Sequence, residues 1–200
     1  MKKLLATAFM ALCMLGGITP AQAQYVASTK GDVNLRASAS TTAAKVGTLA
    51  KEDLIPCLEF LDGWYKVEYN GKPAYVSESV TRTWDTMIPA EIYNKNLTSN
   101  MAKDKIRFQG DITIEPVDKD HVLITENWMR ENLPAETVCY LADVNEGVIT
   151  ATHSGMWIDA DIPVATIKEE FSALEKPLPV GFDEFNNTIF FNGSEFSEFE

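Results

Sequence analysis

The sequence is poor in histidine, cysteine and basic charge, and each shortage removes a class of chemistry. Two histidines, His121 and His153, cannot build a three-histidine zinc site, and no His-x-x-x-His spacing exists. The Asp-x-Asp-x-Asp-Gly calcium loop is missing too, so Asp159 and Asp161 read as a solvated turn. No metal site is expected, and nothing calls for a cofactor. Only 17 basic residues stand against 29 acidic ones. A field of that sign repels nucleic acid and anionic lipid head groups. It leaves cationic or amine-bearing partners, or solubility alone, as the purpose of the charge.

Also lacking is an apolar run long enough to span a bilayer, which takes ~20 residues. The run over residues 4–18 is shorter and is broken by Gly16 and Gly17. With Lys2 and Lys3 before it and Ala21-Gln22-Ala23 after it, the segment has the build of a secretory signal peptide. Residues 1–23 are therefore expected to be removed, giving an exported chain, periplasmic or secreted, with no membrane insertion after cleavage. Cys13 follows Met10-Ala11-Leu12 rather than the small residues expected before a lipidated cysteine, and it would leave with the leader. The mature chain would begin at Gln24 and carry 15 basic against 29 acidic residues.

Of the 3 cysteines, Cys57 and Cys139 remain, in a compartment where disulfides persist. A bridge would join the two halves of the protein. Each cysteine, however, sits in an apolar, strand-like run, and two buried thiols are the preferred reading.

What the sequence does contain is a β-rich stretch over residues 33–76. It opens with Val33-Asn34-Leu35-Arg36 and passes through Val46-Gly47-Thr48-Leu49. It closes with Gly63-Trp64-Tyr65-Lys66-Val67-Glu68-Tyr69-Asn70-Gly71-Lys72-Pro73-Ala74-Tyr75-Val76. Val33 and Leu35 alternate with Asn34 and Arg36, the period of a half-buried strand. Residues 37–45 hold no large apolar side chain and predict a long exposed loop. Tyr65, Val67 and Tyr69 alternate with Lys66 and Glu68, and Asn70-Gly71 is a strong two-residue hairpin signal. Pro56 lacks a ladder donor and predicts an edge or a bulge.

This order of blocks resembles the bacterial SH3-like domain (SH3b), a small β-barrel found in exported cell-envelope proteins. The resemblance covers roughly a third of the chain. The sequence departs from the family where Ala37-Ser38-Ala39-Ser40 replaces a Gly-Pro segment, where Glu52 stands for a turn glycine, and where Ala74-Tyr75-Val76 replaces Gly-Trp-Val. The resemblance implies recognition of short peptides, typically of the cell wall, in a shallow groove. The residues suited to such a groove are Asn34, with amide donors and acceptors; Arg36, able to pair with a carboxylate; and the rings of Trp64, Tyr65 and Tyr75. The alternative for each ring is core packing, which a barrel of this size also needs.

Beyond the module, residues 83–103 are polar with isolated large side chains and predict a linker. Residues 104–200 alternate as strands, with hairpins predicted at Asn145-Glu146-Gly147 and Asn192-Gly193. One helix is expected after Pro163, with Ile167, Phe171 and Leu174 at helical spacing and a Thr166/Glu169 capping box. A short helical turn is expected at residues 129–133, and the last strand is expected at a sheet edge. The fold class is thus mainly β or α+β: signal peptide 1–23, barrel 24–82, linker 83–103, and a 104–200 α+β domain of mostly antiparallel strands with one packed helix.

The function expected is that of a non-catalytic envelope protein binding a peptide or cell-wall peptide, with a protein partner also possible. One alternative is a cysteine peptidase using Cys139 and His153. Against it, Val138-Cys139-Tyr140-Leu141 is strand-like and has no helix start to activate the thiol. Another alternative is a barrel that serves only as a docking surface.

Overall fold

The computed structural model describes residues 24–51, 53–103, 106–131 and 133–198. The expected signal peptide, with Cys13, lies outside the described residues. Every strand pairing among them is antiparallel.

The first unit comprises β1 (Gln24–Ser28), β2 (Val33–Arg36), β3 (Lys45–Leu49), β4 (Ile55–Leu61), β5 (Trp64–Tyr69), β6 (Lys72–Ser77) and β7 (Thr81–Asp85). Val26, Leu35, Leu49, Ile55, Val67, Ala74 and Val76, drawn from β1 to β6, converge on one buried cluster. A sheet whose strands all point into one core is a small barrel. Asn70 and Gly71 turn β5 into β6 with φ of 52° and 69°, the left-handed pair that a tight hairpin requires. Pro56 is neither at an edge nor at the bulge: it pairs with Tyr25 of β1 in an interior strand, and the register shift falls just beyond it, between Cys57 and Glu59, where β4 runs along β5.

The second unit comprises β8 (Leu97–Lys103), β9 (Ile106–Pro116), β10 (His121–Arg130), β11 (Glu136–Asn145), β12 (Val148–Gly155), α1 (Val164–Glu170), β13 (Ser172–Pro179), β14 (Gly181–Asp183), β15 (Thr188–Phe191) and β16 (Ser194–Ser197). Its main core gathers Ile112, Ile114, Ile124, Tyr140, Phe182, Phe191 and Phe196, among others. On the other face of β10 and β11, Leu123, Cys139 and Leu141 pack under Ile167 and Phe171 of the helical segment.

Several local expectations need correction. The helix stops at Glu170, because Phe171 is already extended (φ −97°, ψ 149°), and Leu174 lies in β13. Its N-cap is Pro163 with no side-chain cap bond, so the Thr166/Glu169 box does not form. Residues 129 and 130 continue β10 instead of coiling. The last strand lies between β15 and β8, where Phe196 fills the core, and so is not at an edge.

The stretch expected as a linker is structural. It supplies the end of β7, the buried Ile88 and Ile92, and β8. β7 pairs with β1 on one side and β14 on the other, so both units share one continuous order of strands, β13-β12-β11-β10-β9-β8-β16-β15-β14-β7-β1-β4-β5-β6-β2-β3. At this seam Trp84 is fully buried, its ring 5.1 Å from Phe190 and capped by the Arg82 guanidinium at 3.8 Å. Arg82 also bonds Asp183 at 2.6 Å and Glu195 at 3.3 Å, tying β7 to the second unit.

Candidate functional site

The period-2 alternation of β2, β5 and β6 decides which candidates can act together. Leu35, Val67, Ala74 and Val76 point into the barrel, so their neighbours Asn34, Arg36, Lys66 and Tyr75 point out. Register then places them. Arg36 is directly opposite Tyr75 across β2 and β6, Tyr75 is opposite Lys66 across β6 and β5, and Trp64 is opposite Ser77 on the same outer row. Asn34, exposed, lies two residues from Arg36 on β2. Four of the five residues selected from the sequence therefore share one outer face.

Tyr65 does not join them. It packs against the aliphatic core, with its ring 5.3 Å from Phe60, which is 56% exposed. Burial, followed by the charges of Glu78 and Cys57, pushes its phenol above the ordinary range, so it stays neutral. For this ring, core packing is the role the structure gives.

Arg36 has a second task. Its Nη1 donates to the Ala43 carbonyl at 2.8 Å, and Ala37 N donates to the Ala44 carbonyl at 2.9 Å, closing the neck of the polar loop predicted over residues 37–45. The rest of the guanidinium fork has no other partner among the described residues. The loop is thus anchored at the border of the face that carries Tyr75.

Sequence reasoning missed two cations here. Lys45 is directly opposite Arg36, and Lys66 is opposite Tyr75 with Glu59 3.5 Å from its Nζ. Like charges directly opposite on a sheet are unfavourable. Arg36 against Lys45 is such a pair, in a chain whose net charge is −12. The signal was present in the alternation, since Lys66 shares its parity with Trp64, but the partner of Lys45 depends on a register shift between Leu35 and Arg36. The result is a face of rings with mixed charge, Arg36 and Lys45 beside Lys66, which pairs with Glu59, and Glu68 on the same row as Trp64; Arg36 is the group placed to pair with a ligand carboxylate.

The larger concavities lie elsewhere. A cleft of about 820 Å³ runs along the seam past Arg82, Trp84, Asn100 and Glu195. A second, of about 480 Å³, opens between β4 and the β11–β12 turn. None of the five candidates lines either one.

The possible peptidase pair is differently placed. Cys139 is fully buried under α1, and its Sγ is 3.5 Å from Thr125 Oγ1, while His153 Nδ1 is 3.0 Å from Thr152 Oγ1. No hydrogen bond links Cys139 to His153 among the described residues. Cys57 is half-buried, and both thiols are unpaired. No described helix is long and apolar enough to cross a membrane.

Comparison with known proteins gave no match among curated proteins or among solved structures. Residues 31–81, from the turn before β2 to the first residue of β7, match the family model of the bacterial SH3 domain, and the barrel is a domain of that family.

Proposed function

We propose that this chain is an exported, non-catalytic binding protein of the cell envelope whose barrel recognises a peptide-like ligand of the cell wall. The bacterial SH3 domain is suggestive of a cell-wall or peptide binding module. The observation that carries the finer reading is the direct Arg36–Tyr75 pair on the outer face, flanked by Trp64 and by Lys45 and Lys66. A ring row grips the flat groups of an extended chain, and Arg36 pairs with its carboxylate.

The test is co-sedimentation with purified peptidoglycan. Wild type is expected to pellet, and Trp64→Ala and Tyr75→Ala to stay largely in solution at unchanged melting temperature. Equal pelleting of all three would remove the ring face from the reading.

A second reading is favoured by one specific observation: the barrel is continuous, through β1 and β7, with the second unit. Under it the barrel is a docking element of the whole chain. In that case the ring variants alter stability while peptidoglycan binding is absent from the outset.

A further inference from the structure

The 480 Å³ cleft between the two units is a candidate for a second site, one that owes nothing to the ring face of the barrel. One wall comes from the barrel, where Tyr25, Pro56, Cys57 and Leu58 present mainly apolar surface. Leu58 is 39% exposed, and its neighbour Phe60 continues the apolar surface along β4. The opposite wall is the β11–β12 hairpin, with Asp143 near the end of β11, Glu146 at the turn, and Val148 and Thr150 on β12. The volume lies within the ~300–1,000 Å³ range of ligand pockets, which favour domain interfaces.

Charge distinguishes this cleft from its larger neighbour. The 820 Å³ cleft carries both signs of charge: Lys51 and Arg82 line it with Glu195 and Glu198, Arg82 pairing with Glu195 and with Asp183, and Glu198 with Lys95. Among the residues lining the smaller cleft there are two acids and no lysine, arginine or histidine. Asp143 faces His121 Nε2 at 3.6 Å, while Glu146 has no side-chain partner among the described residues.

The backbone adds an independent observation. Three hairpins turn through a left-handed residue followed by glycine: Asn70-Gly71, Glu146-Gly147 and Asn192-Gly193. Asparagine tolerates that conformation and glutamate tolerates it poorly. At this turn alone of the three, the fold holds a carboxylate at φ 51°, beside the cleft.

We propose that this cleft binds a basic peptide segment, seating the side chain of a lysine or arginine and an apolar neighbour. The long apolar stem of such a residue fits the barrel wall while its cationic head reaches Asp143 and Glu146. Electrostatics of the same sign excludes acidic chains.

Cys57 lines the cleft, so its alkylation reports occupancy, and the fully buried Cys139 reports that the fold is intact. The mature chain is treated with N-ethylmaleimide, and both thiols are followed by mass spectrometry. The probes are N-acetylated, amidated Leu-Lys-Lys-Leu and Leu-Glu-Glu-Leu. The lysine peptide is expected to slow Cys57 modification at least threefold, and the glutamate peptide to leave it unchanged. Asp143→Asn with Glu146→Gln is expected to abolish the protection, whereas Trp64→Ala keeps it, which separates this site from the ring face. If the double variant exposes Cys139, the single Glu146→Gln change at the turn carries the same test. Equal effects of both peptides, no protection at millimolar lysine peptide, or protection that survives the loss of the carboxylates would overturn the proposal.

Discussion

The two units place their aromatic residues differently. The barrel closes over seven buried side chains, all aliphatic, with Tyr65 and Tyr69 only lapping its core. The second unit buries Tyr140, Phe182, Phe191 and Phe196 in its main cluster, with Tyr140 and Phe191 meeting edge to face at 5.0 Å. A ring in this cluster is therefore a structural element, whereas Trp157 and Phe185 of the same unit lie exposed. In the barrel, Trp64 and Tyr75 are surplus to the core, and that surplus makes a binding face physically reasonable.

The strongest way to break this contrast is truncation of a ring in each unit. Phe191→Ala should destabilise the protein by about 3–5 kcal/mol, measured by urea unfolding, because it empties a packed core. The next effect is steric. A Cβ added at Gly110 would lie 2.7 Å from the Trp128 ring, so Gly110→Ala should cost about 1–3 kcal/mol through forced repacking, visible as a lower thermal midpoint.

In the acidic range, Glu126 of the second unit gives a pH effect of defined sign. Glu126 is buried in its core, where its carboxylate accepts from Trp128 Nε1 at 2.8 Å and from Tyr140 and Asn192 at 3.3 Å. Burial raises its pKa above the ordinary 4.5, outweighing those three hydrogen bonds. The native state thus keeps a proton that the unfolded chain has released. This contribution to stability is present below about pH 4.5 and is lost as pH rises through the native pKa. Urea midpoints of Glu126→Gln should lack that decline, and an identical pH profile in the two proteins would contradict the assignment.

The smallest stability effect is expected on the barrel face. Trp64→Ala and Tyr75→Ala should change unfolding free energy by less than about 1 kcal/mol, since neither ring fills the core. A loss comparable with that of Phe191→Ala would erase the distinction between the units.

The legible parts of the fold were those that local chemistry dictates. Asn70-Gly71 and Asn192-Gly193 could be read because few residues accept positive φ, and the β5 alternation showed its inward and outward rows without a partner. Partnership was not legible. Nothing in Gln24–Ser28 shows that it bridges β4 and β7, and the polar residues around Trp84 carry no sign of its contact with distant Phe190. Helical spacing from Ile167 to Leu174 misled beyond Phe171, because Leu174 belongs to a strand that pairs with distant β12. At the candidate site, Asn34, Arg36, Trp64 and Tyr75 were found from residue type and order. Lys45 was missed because its place opposite Arg36 depends on a bulge. Glu126 had a visible signal, a carboxylate on the face of Val122 and Ile124, but its three donors come from Trp128, Tyr140 and a distant turn.

The most direct measurement is a nuclear magnetic resonance titration of the isotope-labelled mature chain with a soluble peptidoglycan stem peptide. Shift changes should cluster on Asn34, Arg36, Lys45, Trp64, Lys66 and Tyr75, with the Trp64 indole among the largest. Saturable changes confined to residues 97–198, or none at millimolar peptide, would contradict the assignment of binding to the barrel's outer face.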